Sequence, residues 1–189
     1  MSDATRADLD RELLDLLQRE RFAPPEGFRA DALVTDRSLH EQAARDPVAW
    51  WGEQAGALHW FKPPERILND DNPPFYKWFE GGKLNASYNC LDRHIEAGLG
   101  DRVAFHWRGE EGEERTITYA WLHEQTQRAA NALKALGVRE GDVVGIYLPM
   151  IPEVVVAMLA CARIGAPHNV VFGGFSPESV CERMEASKA

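Results

Sequence analysis

The sequence predicts an α/β fold: a partial, doubly wound parallel sheet with flanking helices, preceded by a helical N-terminal extension rich in Trp and Pro. Three observations carry this. Beyond about residue 85, short strand-like runs alternate with helical segments over short connections, the rhythm of a sheet wound by crossover helices. One run, "DVVGIYL", is nearly continuously apolar, as a parallel strand covered on both faces requires. Before residue 85 tryptophans and prolines crowd together and the alternation is absent. The expected organisation is a helical extension over 1–84 that wraps the domain, then the first part of a larger, incomplete α/β domain over 85–189.

Leu9, Leu13, Leu14 and Leu17 share one face of a short acidic helix, which Pro24 and Pro25 end. A second helix is expected over about Ser38–Trp60, with Trp50, Trp51 and Trp60 as an aromatic face that docks the N-terminal lobe. "KPPERILNDDNPPFYKWFEGG" reads as an extended segment wrapping a surface, because it carries Ile67, Phe75, Tyr76, Trp78 and Phe79 between its proline pairs. "SYNCLDRHIEAG" reads as a helix capped by Ser87 and closed by Gly98. "DRVAFHW" and "ERTITY" are strands, paired as a hairpin across the solvated run "RGEEGE".

A long helix follows from Thr118, its N-cap, to Leu136, with Leu122, Thr126, Ala129, Leu133 and Leu136 as the buried stripe and Gly137 as the stop. After the strand "DVVGIYL", Pro152 opens a helix that ends at Gly165. "PHNVVF" is the next strand. Ser176 caps the last helix, with Pro177 at its first position and Glu178 in its first turn.

The 189 residues are 44% apolar and 27% charged, an ordinary soluble composition. A net charge of −9 argues against nucleic acid or an anionic membrane as partner, since both need a basic surface. The longest uncharged apolar run, Val154 to Ala162, is too short to span a bilayer, and the charged start lacks a secretory pattern, so a cytoplasmic protein is expected. Cys90, Cys161 and Cys181 have no metal or redox spacing and read as buried free thiols. His94, His106, His123 and His168 are scattered and read as structural or surface residues; Asp92 and Glu96 read as part of a solvated charged face.

In "VVFGGFSPESV" a strand ends at Phe172 and turns at Gly173 and Gly174. Two readings stand at this level. The turn holds a ligand beyond the carboxyl end of a strand, with Phe172 or Phe175 against a flat ring, or the glycines serve the bend alone. The turn lacks the Lys of a phosphate loop and the three-glycine dinucleotide pattern, and Glu178 repels an anion from the same helix end.

The phrases "GGKLNASYNCLDRH", "YLPMIPEVVVAMLACARIGAPH" and "VVFGGFS" resemble the N-terminal part of the AMP-forming acetyl-CoA synthetases, in the superfamily of adenylate-forming enzymes, over at least residues 35–189. The resemblance implies a two-step ligase using ATP, Mg2+ and coenzyme A. A carboxylate attacks the α-phosphate of Mg-ATP, releasing pyrophosphate, and the coenzyme A thiol then displaces AMP from the acyl-adenylate. It implies that Phe172, Gly173 and Gly174 help hold the adenine end of coenzyme A. The family's phosphate loop, adenine- and metal-contacting segment, ribose-binding Asp and catalytic Lys have no counterpart here. The chain is therefore expected to be an N-terminal portion with no catalytic residues of its own, at most weak contact with coenzyme A, and the remainder of its chain as partner. Its substrates are expected to be acetate, ATP and coenzyme A, with propionate or acetoacetate as alternative acids. A truncated sheet edge implies self-association. A different class also stands: a non-catalytic interaction module derived from this fold.

Overall fold

A computed structural model describes Arg11, Leu14, Leu17 and residues 22–189. The acidic helix read from Leu9, Leu13, Leu14 and Leu17 lies largely outside the described residues. The chain falls into two compact units, residues 1–47 and 48–189. In the first, α1 (Glu26–Ala30) and α2 (Ser38–Arg45) bury no residue.

The single helix expected over Ser38–Trp60 is two helices. Asp46 precedes Pro47, whose ring drives the preceding residue out of the helical region, and Asp46 sits at φ −146°, ψ 85°. Pro47 then opens α3 (Pro47–Ala55). Trp60 lies beyond that helix and its indole N–H donates to the Ala55 carbonyl at 2.8 Å. The Pro-rich segment after it does not run simply extended. It doubles back as an antiparallel ribbon, β1 (Arg66–Asn69) with β2 (Lys77–Glu80), extended by a Lys62–Lys83 bridge. Ile67 packs on Gly52 of α3, and a β-carbon at Gly82 would lie 2.6 Å from the Trp60 ring. The tryptophan there is thus accommodated by a residue without a side chain.

"SYNCLDRHIEAG" forms a π-helical turn (Tyr88–Asp92) that runs into α4 (Arg93–Glu96). Ser87 does not cap it, because Ser87 already has helical backbone angles. Asn85 does so instead: its Oδ1 accepts the Tyr88 N–H at 3.0 Å. Gly98 ends the segment at φ +75°, a conformation that favours glycine.

β3 (Val103–Arg108) and β4 (Glu114–Thr118) pair as the expected antiparallel hairpin. Thr118 caps α5 (Tyr119–Ala135) by accepting the Trp121 N–H at 3.2 Å. The buried stripe is Leu122, Thr126 and Ala130 rather than the full run to Leu136, which is 82% exposed past the end of the helix. Leu91, Ile117, Leu122 and Val156 form one core, under the hairpin and between α5 and α6 (Pro152–Ile164).

β5 (Val144–Leu148) pairs in parallel with β6 (His168–Phe172), and α6 makes the crossover. Ile146, Val154, Cys161 and Ala166 form a second core, with Val144, Leu148 and Val155 against it, so α6 covers the face to which Ile146 points. The other face belongs to α7 (Pro177–Ser187). Gly145, which alternates with Ile146, faces Met184 so closely that a β-carbon would collide with the methionine sulfur. Asn169, opposite Gly145, donates to the Arg183 carbonyl and the Ser187 hydroxyl at 2.9 Å each. Two helices on two faces is the doubly wound arrangement in miniature. Only Ile146 of β5 is fully buried, because among the described residues β5 pairs with β6 alone, and Tyr147 remains half exposed. No helix among the described residues is long and apolar enough to cross a membrane.

Candidate functional site

The carboxyl ends of β5 and β6 lie side by side, with Leu148 opposite Phe172. The loop after β5, residues 149–151, turns toward the α6 face, whereas the loop after β6, residues 173–176, turns toward the α7 face. Loops that diverge from adjacent parallel strands mark the crevice position at which open α/β sheets take their ligands.

Phe172 stands at this crevice, 59% exposed; Phe28, Phe61 and Phe75 are exposed elsewhere too, and what sets Phe172 apart is its place at the carboxyl end of a parallel strand. Phe175 packs edge-on to it with centroids 6.1 Å apart, and the Arg183 guanidinium lies 4.7 Å from the Phe175 centroid. The two glycines have separate jobs, and neither has a positive φ. At Gly173 a β-carbon would sit 3.3 Å from the Leu148 carbonyl oxygen and the Pro149 nitrogen, so this residue closes the floor against the end of β5. At Gly174 a β-carbon would lie 2.7 Å from the Phe172 ring, so this residue gives the ring its room.

Tyr147, which sequence reasoning passed over, pins the turn. Its hydroxyl lies 3.1 Å from the Gly173 carbonyl oxygen and 2.9 Å from that of Phe175, so its one proton is shared between the two. A tyrosine within an apolar strand signals only burial of its ring; the carbonyls it serves are 26 and 28 residues away.

The N-terminus of α7 is already satisfied from within. Ser176 caps it by accepting the Ser179 N–H, and the Glu178 backbone N–H together with the Ser176 hydroxyl holds the Glu178 carboxyl below its ordinary pKa. The crevice therefore offers an apolar shelf with a guanidinium near it, suited to a flat ring rather than a phosphate in the turn itself.

At the other end of α6 lies a cluster that the sequence reading mistook for a solvated charged face. Asp92 is largely buried and takes a two-pronged pair from Arg163, the first bond at 2.7 Å; their side chains are 16% and 21% exposed. His123 Nε2 lies 3.1 Å from the same carboxylate, and Gln127 lies 3.0 Å from His123. Partial burial pushes the Asp92 carboxyl up, but the hydrogen bonds and charges of Arg163 and His123 outweigh it and hold the group below its ordinary pKa. Glu96, by contrast, stays outside and accepts the Tyr88 hydroxyl at 2.7 Å.

His94 packs on Tyr119, His106 lies 3.3 Å from the Thr116 hydroxyl, and His168 begins β6. Among the described residues no three His, Cys, Asp or Glu side chains gather to hold a metal ion. Of the three free thiols only Cys161 is buried, which raises its pKa; Cys90 and Cys181 face outward, against the expectation of three buried ones.

The family model for AMP-binding enzymes matches residues 91–189, and that for the acetyl-coenzyme A synthetase N-terminus matches residues 36–90. The chain is 55% identical over 181 residues to the acetyl-coenzyme A synthetase of Streptomyces avermitilis and 54% identical over 181 residues to that of Streptomyces coelicolor. Each alignment covers 95% of this chain and 28% of the relative. The enzyme of the same name from Rubrobacter xylanophilus is 53% identical over 169 residues, 89% of this chain and 26% of the relative. The chain thus spans little more than a quarter of the length of these curated relatives. It belongs to the AMP-binding enzyme family.

Proposed function

We propose that this chain supplies the N-terminal portion of an acetate–CoA ligase, and that Phe172, Gly173 and Gly174 form the shelf for the adenine end of coenzyme A. The observation that carries the reading is the exposed Phe172 ring at the crevice between diverging loops, kept clear by a glycine that a methyl group would crowd. An exposed ring of this size offers about 1–3 kcal/mol to a stacked base, the range measured for base–aromatic contacts elsewhere.

In the whole ligase, acetate, ATP and coenzyme A are the substrates and Mg2+ accompanies ATP. Residues 85–189 open the larger α/β domain and residues 1–84 form its N-terminal extension. The chain's own contribution is binding: it orients the adenine of coenzyme A and takes no part in proton or phosphoryl transfer. The 189-residue chain alone has no ligase activity.

Two experiments test this. Coenzyme A titrated into the 15N-labelled chain is expected to shift the amides of residues 172–175 in fast exchange, with millimolar affinity. Shifts confined to other parts of the chain contradict the shelf. ATP–pyrophosphate exchange driven by acetate is expected to be absent with the chain alone; appreciable exchange contradicts the purely binding role.

A further inference from the structure

The crevice has two walls, and they are held differently. The wall at residues 173–175 is held from within the sheet by Tyr147. The wall at residues 149–153 is seated by the buried Pro152, but has few hydrogen bonds of its own. Ile151, the N-cap residue of α6, has no side chain able to cap, and the local bonds are the Ile151 N–H to the Pro149 carbonyl and the Val154 N–H to the Ile151 carbonyl.

Two side chains of the β3–β4 hairpin reach this wall. The Trp107 indole N–H donates to the Met150 carbonyl at 2.8 Å, across 43 residues of sequence. Arg115, on the partner strand opposite Trp107, pairs with Glu153 at 3.0 Å in the first turn of α6. The Arg115 guanidinium lies 6.0 Å from the Trp107 ring and 5.3 Å from the Trp121 ring, so two aromatic faces orient it toward Glu153. Burial alone raises the Glu153 carboxyl pKa, and the bond from Arg115 brings it net below its ordinary value. An isolated surface pair of this kind is worth little, but a guanidinium held by two rings and a neighbouring indole bond to the loop just before α6 make a fixed strut.

We propose that Trp107 and Arg115 are positioning residues for the ligand crevice: the hairpin braces the Met150–Glu153 wall, which follows directly on the β5 end that lies beside Phe172. The proposal rests on the shelf reading above, and its test separates the two.

The test is made on the 189-residue chain with Trp107→Phe, which keeps a ring and loses the donor, and with Arg115→Gln. Amide exchange is followed at Ile151 and Val154, with Val171 as a control in the neighbouring strand, and coenzyme A affinity is measured from the shifts at residues 172–174. In both variants Ile151 and Val154 are expected to exchange about tenfold faster and coenzyme A to bind about three- to tenfold more weakly, as loss of one hydrogen bond implies. Val171 exchange is expected to stay unchanged, which a general loss of stability does not allow. Unchanged exchange at Ile151 and Val154 overturns the brace, whatever coenzyme A does. Faster exchange with unchanged affinity overturns its role in binding. If residues 172–174 of the unsubstituted chain ignore coenzyme A, the shelf reading fails and takes the binding role with it, while the exchange rates still decide the brace.

Discussion

Two residues show how local environment separates structure from site. Asp92 carries a charge that Arg163 neutralises in a largely buried place, with His123 Nε2 3.1 Å from the same carboxylate. Replacing it with asparagine leaves Arg163 without its counter-ion, and thermal or urea unfolding at neutral pH is expected to show a loss of about 3 kcal/mol, the usual cost of breaking one half of such a pair. The pH dependence has a definite sign. A carboxyl depressed in the folded state contributes stability that is complete above its ordinary value of 3.8 and is lost as pH falls through its lower folded value. The stability gap between the unsubstituted chain and the Asp92→Asn variant is therefore expected to close as the pH drops into that range; a gap that persists there contradicts the ion-pair account. Gly174 behaves in the opposite way. Alanine there meets the Phe172 ring, an exposed group free to swing aside, so stability is expected to change by less than about 1 kcal/mol while coenzyme A binding weakens several-fold. A stability loss with unchanged binding would return the glycine pair to the bend alone.

Among the elements, α6 links the two ends of the molecule's chemistry: its first turn walls the crevice and its last turn meets the Asp92 cluster. Asn85 holds that last turn. Its amide donates to the carbonyls of Ala162 and Arg163 at 3.1 Å each while its Oδ1 caps the π-helical turn, so one side chain serves two helix ends. Asn85→Ala is expected to cost about 2–3 kcal/mol, measured by urea unfolding, because three backbone groups lose their partner. Asn85→Asp keeps the cap but loses the donor, and is expected to fall between the two. Elements of this kind were legible in the sequence where a local rule decides them. Thr118, Pro152, Gly165, Ser176 and Pro177 act on their own backbone neighbours, and all stand where spacing placed them. What was not legible depends on residues far apart. Asp92 meets Arg163 across 71 positions and Tyr147 reaches Phe175 across 28, and no periodicity records such meetings. Ser87 misled for a related reason: two residues upstream, Asn85 does the capping that a serine at a helix start normally does.

At the scale of the whole chain, all three sheets among the described residues have two strands each, too few to be stable without the helices that cover them. The β5–β6 pair leaves Tyr147, Val170 and Phe172 substantially exposed beside open strand edges, the kind of surface that recruits further strands or further copies. Sedimentation velocity of the 189-residue chain is expected to show association that grows with concentration; a clean monomer at high concentration contradicts it. The acidic balance of −9 limits such association at low salt and allows more as salt screens it. Fold class was readable at this scale from alternation alone, whereas local pattern left the glycine turn open between a ligand contact and a bend; the resemblance alone implied its role, to which the opposite faces taken by α6 and α7 add support. The direct test of that role is an intermolecular nuclear Overhauser measurement on the chain with excess coenzyme A. The account predicts contacts between the adenine ring protons and the Phe172 ring protons, and no shift of the Phe172 protons with phosphopantetheine, which lacks the base. Adenine contacts to another part of the chain, with none to Phe172 at saturation, would contradict it.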